Sequence, residues 1–232
     1  MKSLLCYHNN EKKVKMERVV RKLTKNLGEP YSSRIGIDLE SKKESEIFKW
    51  FLASLFFGKR ISENIAMNTY RVFTSKNIYT PDRILKAGWE YLVELLDEGS
   101  YTRYDFSTAT KLLELTADLK ETYGTLTNLH NQAKNSKDLE LKLQEFKGIG
   151  PTTTNIFLRE LRVIWPKADP EPCSFVRGVA KNLNIDLETY NRHTKTFVRL
   201  ECALLRLWKT YCRKNRCNEC GFDAECKATN KK

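Results

Sequence analysis

The stretch from Asp138 to Pro166, DLELKLQEFKGIGPTTTNIFLRELRVIWP, decides the fold. Apolar residues at helical spacing lie on both sides of the sequence GIG at 148–150, and Pro151 stands where a helix can begin. The stretch therefore predicts two helices joined by a tight turn. A glycine turn exposes backbone N–H groups, which can bind one phosphate of a nucleic-acid strand together with the start of the second helix. Lys147 can add a charge there, and a helix corner without any ligand is the alternative.

The remainder of the chain also predicts helices. Ser62 and Thr80 are capping residues that precede amphipathic stretches, and Gly99 and Gly124 are expected to end helices. The helix after Thr80 is expected to place Gly88 and Trp89 on its inner face. His130 has no partnered spacing and is predicted to lie at the surface. Sustained alternation of apolar and polar residues is not obvious anywhere, so the sequence predicts an all-α protein.

The net charge of the chain and the length of its apolar stretches limit the kinds of partner that the protein is expected to bind. Lysine and arginine total 41 against 29 acidic residues, which leaves a net charge of +12 and favours a polyanionic partner, with nucleic acid ahead of an acidic membrane surface. The longest apolar stretch, Trp50 to Phe57, is too short to span a bilayer. The first residues lack a signal-peptide core. We therefore expect no membrane association and an intracellular location, either cytoplasmic and nucleoid-associated or nuclear.

Four of the seven cysteines crowd the segment CRKNRCNECGFDAEC with the spacing C-x4-C-x2-C-x5-C. An odd total does not suit a disulfide framework, whereas four close thiolates suit a zinc ion or an iron–sulfur cluster. The spacing leaves zinc and [4Fe–4S] open, and four unliganded thiols in a flexible tail are the alternative. Basic neighbours are expected to help keep the thiols deprotonated. The predicted ligands are Cys212, Cys217, Cys220 and Cys226, and the basic neighbours are Arg213, Lys214 and Arg216.

The segment FKGIGPTTTN resembles the helix-hairpin-helix of the DNA glycosylase superfamily typified by endonuclease III and the adenine glycosylases, whose hairpin reads L-P-G-V-G-x-K-T-A. In that family a [4Fe–4S] loop with the pattern C-x6-C-x2-C-x5-C follows a long helix. The last three cysteines here match that spacing, and the first gap is two residues shorter. The order of the helices, the hairpin and the cysteines also agrees, and the resemblance covers about Ile47 to Cys226.

The resemblance implies an all-α, two-lobed helical DNA glycosylase fold with a helix-hairpin-helix and a C-terminal four-cysteine cluster loop. Residues 41–165 would form a helical barrel domain, with the helix-hairpin-helix at 138–164. Residues 1–40 would belong to the second lobe, and residues 166–232 would supply the connection, the C-terminal helices and the cysteine loop. The implied cofactor is a [4Fe–4S] cluster, with zinc as the alternative.

The sequence departs from the family at two positions that take part in the family's reaction. Bifunctional members carry a hairpin lysine that forms a Schiff base with the sugar, and the matching residue here is Thr152. The family also places an aspartate at the start of the helix after the WP connection, where this chain has Cys173. The candidate catalytic residues are therefore Asp169 and Glu171, just upstream, and Cys173 itself. A carboxylate suits the task because it stabilises positive charge that develops on the sugar.

The resemblance also places Phe57 near the side chain that the family inserts into DNA when a base is extruded, and Lys59 and Arg60 could hold phosphates beside it. A core aromatic is the alternative for Phe57. The predicted DNA-binding residues are Lys147, Gly148, Ile149, Gly150, Thr152, Thr153, Phe57, Lys59 and Arg60.

The expected function is base-excision repair. The chain would bind double-stranded DNA as a monomer and act as a monofunctional DNA glycosylase, hydrolysing the N-glycosidic bond of a damaged or mismatched base without lysine-dependent lyase activity. The alternative is a member of the same fold that binds DNA or senses lesions without catalysis.

Overall fold

The structure, a computed structural model, describes residues 2–228, with side chains from Val14 onward; Met1 and residues 229–232 lie outside it. Within that range every regular element is a helix, which confirms the all-α prediction. None of the described helices is long and apolar enough to cross a membrane. The chain divides into two compact units, one of residues 32–170 and one that joins residues up to Tyr31 with those from Glu171 onward. The predicted lobes, with boundaries after residues 40 and 165, remain a prediction.

The α-helices of the described chain follow one another with short connections. In order they are α1 (Lys2–Leu27), α2 (Tyr31–Arg34), α3 (Glu44–Phe57), α4 (Glu63–Ser75), α5 (Pro81–Glu98), α6 (Asp105–Thr122), α7 (Leu126–Gln132), α8 (Ser136–Glu145), α9 (Pro151–Leu161), α10 (Ser174–Asn182) and α11 (Lys195–Thr210). Short 3₁₀ turns begin at Leu39, Leu187, Cys212 and Cys217.

Local capping chemistry sets several helix ends where the sequence predicts them. The Ser62 hydroxyl accepts a hydrogen bond from the Ile65 N–H at 3.2 Å at the start of α4. The Thr80 hydroxyl caps α5 in the same way, and Pro81 occupies the first turn. After α6, Gly124 adopts a φ of +73°, the left-handed conformation that ends many helices. These three predictions are confirmed.

Helix α5 differs from the prediction at its middle. Gly88 has a φ of +75° and a ψ of 172°, so the helix is interrupted there. Trp89 does not face inward, because it is 37% exposed and its ring stacks on the exposed ring of Phe106 at 5.5 Å. Its indole N–H donates to the Thr110 hydroxyl at 3.0 Å. The expected inner-face positions of Gly88 and Trp89 are therefore wrong, since helical periodicity does not continue through the interruption.

His130 is buried rather than exposed. Its ring lies 4.7 Å from the Trp165 ring in a stacked arrangement, and its backbone carbonyl accepts a hydrogen bond from the Lys167 ammonium at 2.9 Å. Burial and the charge of Lys167 lower the pKa of His130, while a side-chain hydrogen bond with Asn131 acts in the opposite direction. The surface prediction was wrong because the covering ring comes from a distant part of the sequence.

The core of the unit formed by residues 32–170 joins α3 to α9. Trp50 is fully buried, and its indole N–H donates to the Phe157 carbonyl at 3.0 Å. The rings of Phe51 and Phe157 pack edge to face at 5.0 Å. These contacts hold α9, and with it the preceding turn, against the buried side of α3.

The other unit packs α11 against α1 and α10. Tyr31 is buried under the guanidinium of Arg206, which lies 4.6 Å from the ring centroid. The same guanidinium donates to the Glu29 carbonyl at 2.8 Å, so it ties the end of α1 to α11. Helix α11 ends at Thr210, two residues before Cys212, so the cysteine segment begins at this packed core.

Candidate functional site

The turn between α8 and α9 reverses the chain over residues 146–150. The Ile149 N–H donates to the Phe146 carbonyl at 3.0 Å, and the Thr154 N–H donates to the Gly150 carbonyl at 3.0 Å as α9 begins. Gly148 has a φ of +93°, which favours glycine. A Cβ on Gly148 would also lie 2.8 Å from Cδ of Lys111. Backbone conformation therefore favours glycine at this point, and a larger residue would also have to displace the Lys111 side chain.

The predicted DNA-binding residues of the turn differ in exposure. Lys147 and Thr152 are exposed, and Gly148 and Gly150 are half-buried. Ile149 and Thr153 are buried, with 6% and 4% of their surfaces exposed. A ligand at this turn could therefore meet the side chains of Lys147 and Thr152 and the backbone of the glycines. The side chains of Ile149 and Thr153 instead belong to the core.

The segment after α3 packs on the start of α9. A Cβ on Gly58 would lie 2.2 Å from the Thr153 hydroxyl oxygen, so the Thr153 side chain packs directly against the Gly58 backbone. Lys59 follows Gly58 directly and is half-buried. The structure thus brings the segment containing Phe57, Lys59 and Arg60 to the hairpin, although the two are far apart in the sequence.

Helix α6 contributes two residues that the sequence reasoning missed. The aliphatic part of the Lys111 side chain lies along Gly148. One helical turn later, Glu114 accepts a hydrogen bond from the Lys147 ammonium at 2.9 Å. Burial and, after it, the positive charge of Lys111 lower the pKa of Lys59. No local sequence signal marks Lys111 or Glu114, because only the tertiary fold places α6 beside the turn.

We call this group the hairpin surface: Lys59, Lys111, Lys147 and the turn residues 148–152. Its three lysines come from three separate segments of one compact unit. Positive charge beside the backbone N–H groups at the start of a helix is suited to binding a phosphate.

Phe57 and Arg60, which are close to Lys59 in the sequence, differ in how far their side chains are exposed. Phe57 is half-buried, and its ring centroid lies 6.2 Å from that of Trp50. Arg60 is exposed. Phe57 thus contacts the core in this structure and also has part of its ring at the surface.

Asp169 belongs to the unit of residues 32–170, where it forms an ion pair with Arg162. The Arg162 side chain is fully buried, whereas 31% of the Asp169 side chain is exposed. The same guanidinium donates to the Pro170 carbonyl at 2.5 Å. Asp169 therefore has a structural task, the neutralisation of a buried cation, whatever else it does.

Glu171 and Cys173 belong to the other unit. The Glu171 carboxylate lies at the surface and accepts a hydrogen bond from Arg192 at 2.7 Å. Arg192 also bonds Glu188, at 3.3 Å. Cys173 is the half-buried N-cap residue of α10, which agrees with its expected place at the start of that helix.

The four predicted ligand cysteines line one cavity. Its volume is about 1040 Å³, and residues from α10 and α11, including Phe175 and Trp208, form part of its wall. The pKa of the Cys212 thiol is raised to about 11. Burial is the largest cause, and the nearby Cys217, Cys220 and Cys226 add to it. The donor set, four soft thiols around one cavity, fits a [4Fe–4S] cluster or zinc by its chemistry. In the described part of the chain, however, no three or more Cys, His, Asp or Glu side chains are arranged to hold a metal ion.

Helix α1 and the end of α10 hold the cysteine segment in place. The Lys22 ammonium donates to the Gly221 carbonyl at 2.6 Å and lies 4.9 Å from the centroid of the buried Phe222 ring. The Lys227 N–H donates to the Asn182 carbonyl at 2.8 Å. The Arg216 guanidinium bonds the Glu219 carboxylate, and its expected role beside the thiols stays a prediction.

Comparison with known proteins does not assign this chain to a family. No protein-family model matches the chain, and no curated protein matches it.

Proposed function

We propose that the protein binds duplex DNA and acts in base-excision repair as a DNA glycosylase, which hydrolyses the N-glycosidic bond of a damaged or mismatched base. The observation that carries the proposal is the hairpin surface, where a glycine turn, the start of α9 and three lysines lie together. The resemblance of this segment to the glycosylase hairpin supplies the reaction.

Phosphate binding is the first step of the proposed function. The turn offers backbone N–H groups and the positive end of the α9 dipole, and the lysines supply charge without reading base sequence. Lys147 is exposed and keeps its ammonium at the surface through its bond with Glu114. The net charge of +12 would add long-range attraction to the DNA backbone.

Base extrusion is the second step. Phe57 lies in the segment that packs beside α9, and its ring is only half-buried. A ring at that position could fill the space that an extruded base leaves, while Arg60 holds a neighbouring phosphate.

Hydrolysis needs a carboxylate, because positive charge develops on the sugar as the base departs. Thr152 stands at the family's lysine position, so water is the proposed nucleophile for base release. Asp169 is the better candidate by exposure, since 31% of its side chain is exposed against 68% for Glu171. A site that excludes water strengthens such charge stabilisation.

The cysteine cavity is proposed to hold a [4Fe–4S] cluster, with zinc as the alternative. Cys212, Cys217, Cys220 and Cys226 would be the ligands, and ligation would have to draw the four thiols together. The bound group would serve as a structural crosslink of the loop, and the chain's own contribution is to hold that loop against α1 and α10 through Lys22 and Lys227.

The second candidate function is a DNA-binding or lesion-sensing protein of the same fold without catalysis. The ion pair of Asp169 with the buried Arg162 favours it, because a carboxylate that neutralises a protein cation has less charge to offer a substrate. Cys173 at the family's aspartate position favours it as well.

A panel of duplexes, each with one modified base or mismatch, tests the proposal. The protein is incubated with each duplex, and alkali then converts any abasic site to a strand break. Alkali-dependent breaks in at least one duplex are the expected result. Binding to the duplexes without base release across the panel would favour the sensor, and absence of binding would reject both functions.

Substitutions then identify the carboxylate. Asp169→Asn, with its folded fraction measured beside the assay, is expected to abolish base release. Glu171→Gln and Glu188→Gln form a matched pair, because both carboxylates bond Arg192. Loss of base release in Glu171→Gln alone would move the catalytic role to Glu171.

A further inference from the structure

We propose that the exposed rings of Trp89 and Phe106, with the carboxylates beside them, form a docking surface for a basic segment of a partner protein. An arginine or lysine side chain of that segment would lie on the rings. The inference does not rest on the proposed function, because this surface is acidic and disfavours a phosphate backbone. We call it the acidic aromatic surface, and its residues are Trp89, Glu90, Glu94, Asp97, Asp105 and Phe106.

The two rings are exposed and are held in place by the chain's own contacts. Trp89 is 37% exposed and Phe106 is 60% exposed, and their ring centroids lie 5.5 Å apart in a stacked arrangement. The Trp89 indole N–H donates to the Thr110 hydroxyl, and that hydroxyl donates to the Phe106 carbonyl, both at 3.0 Å. Aromatic side chains that are already fixed lose little conformational freedom on binding, so they are suited to contact a partner.

Carboxylates occupy the exposed face of α5 next to Trp89. The helix is regular after Gly88, and spacings of four and three residues put Glu90, Glu94 and Asp97 on one face. All three are exposed. Within the described part of the chain these three form no ion pair, whereas Glu98 pairs with Lys76 at 3.6 Å. Their negative charges are therefore open to a partner.

Asp105 joins this charged face to the rings. Its carboxylate accepts a hydrogen bond from the Phe106 N–H at 2.7 Å at the start of α6. The pKa of Asp97 is raised, first by desolvation and then by a side-chain hydrogen bond with Asp105 and the charge of that residue. The two carboxyl groups therefore lie close together. Like charges in proximity repel each other, so a cation from a partner would relieve that repulsion.

Two basic side chains that are close in the sequence contact other groups. The Arg103 guanidinium lies over the Tyr104 ring at 5.4 Å from its centroid. The stem of Lys111 lies along Gly148. Among the described residues neither side chain forms an ion pair with the acidic aromatic surface, so its carboxylates are not neutralised by these neighbours.

Charge complementarity identifies the occupant. The chain as a whole has a net charge of +12, so the acidic aromatic surface differs in sign from the remainder of the protein. It would attract a basic segment, whereas its carboxylates would repel DNA phosphates and the net charge opposes the approach of a second copy. A guanidinium both stacks on aromatic rings and forms paired hydrogen bonds with a carboxylate, which suits rings beside Asp105.

A fluorescent nona-arginine peptide tests the proposal on the full-length protein. Saturable binding, measured by fluorescence anisotropy, is the expected result, because the remainder of the chain repels this peptide. Phe106→Ala should weaken binding by about two- to fivefold, the effect expected for loss of an exposed cation–π contact. Phe175→Ala removes another exposed and stacked ring, in the other unit, and should leave the affinity unchanged. Absence of binding, or equal affinities of the two variants, would overturn the proposal.

The carboxylates are tested by the double substitution Asp97→Asn with Asp105→Asn. It should weaken peptide binding at least as much as Phe106→Ala does. Glu145→Gln, at an exposed position at the end of α8, is the control and should have no effect. Circular dichroism and Tm verify the fold of each variant, and Phe106→Ala removes a side chain that is mostly exposed. Unchanged affinity in a folded double variant would overturn the proposed role of the charges.

Other occupants of the surface give different results. Sedimentation velocity of the protein alone should show no association that depends on Phe106, and a dimer that is lost in Phe106→Ala would overturn the proposal in favour of a second copy. Binding of single-stranded DNA that is lost in Phe106→Ala would overturn it in favour of a nucleic acid. Affinity for duplex DNA should be the same in Phe106→Ala and the unaltered protein, so a failure of the proposed function is distinguishable from a failure of this inference.

Discussion

Arg162 and Asp169 form an ion pair in which the arginine side chain is fully buried and the carboxylate is one-third exposed. The arginine lies directly after α9, and the aspartate lies in the connection that follows. The pair therefore fixes the course of the chain just before the unit ends at Pro170. It also means that any substitution of Asp169 acts on stability as well as on chemistry.

Asp169→Asn is expected to destabilise the protein by roughly 1–3 kcal/mol, because a buried guanidinium loses its counter-charge. Glu171→Gln removes an exposed carboxylate and should cost less than about 1 kcal/mol. Urea unfolding of the two variants measures the difference. Equal stabilities would show that the Arg162 pair contributes nothing beyond a surface contact.

A comparison of Gly148→Ala with Gly150→Ala should separate an effect on folding stability from an effect on ligand binding. Alanine at 148 meets a φ of +93° and the Lys111 stem, and should cost about 1–3 kcal/mol in unfolding free energy. At Gly150 a Cβ meets no protein atom within 4 Å, so stability should be unchanged. If a phosphate approaches this backbone closely, Gly150→Ala should nevertheless weaken DNA binding. Unaltered affinity would argue against close approach at Gly150.

The sequence could predict features that depend on neighbouring residues. Ser62, Thr80 and Gly124 set helix ends through local hydrogen bonds or backbone conformation, and the glycine turn before Pro151 is equally local. It could not predict that α6 places Lys111 beside Gly148, because that contact depends on tertiary packing.

Burial was harder to predict than helix position. The stack of His130 on Trp165 joins residues on different elements, and the helix interruption at Gly88 turned Trp89 outward. The catalytic candidates stay predictions for a related reason, since Asp169 and Glu171 belong to different compact units of the chain.

Acid stability should depend on His130. Its pKa is lowered in the folded protein from the ordinary value of 6.5, so the folded state binds fewer protons than the unfolded state in mildly acidic solution. The contribution of His130 to stability is therefore present above pH 6.5 and is lost as the pH falls below it. His130→Phe keeps a ring for stacking on Trp165, and its unfolding free energy should fall less between pH 7 and pH 5. The same acid dependence in both proteins would contradict this assignment.

Lys22→Met should loosen the cysteine segment, because it removes the bond to the Gly221 carbonyl and the charge over Phe222. Lys25→Met, at an exposed position on the same helix, is the control. Alkylation of the loop thiols in metal-free protein should be faster in Lys22→Met than in the control. Identical rates would show that Lys22 does not position the loop.

The cluster has a direct chemical test. Anaerobically purified protein should contain iron and acid-labile sulfide in equal amounts, and Cys226→Ser should lower both. Cys202→Ser, at a buried cysteine away from the loop sequence, should not. Colourless protein with one zinc ion per chain would show that the site binds zinc, the alternative, and not an iron–sulfur cluster. Absence of both metals would overturn the proposed site.

The salt dependence of duplex DNA binding tests whether the hairpin surface holds the phosphate backbone. The logarithm of the binding constant should fall steeply with the logarithm of salt concentration. Lys111→Gln and Lys147→Gln should each reduce that slope by about one, whereas Lys76→Gln should leave it unchanged. A flat salt response, or slopes that none of these lysines alters, would contradict phosphate binding at the hairpin surface.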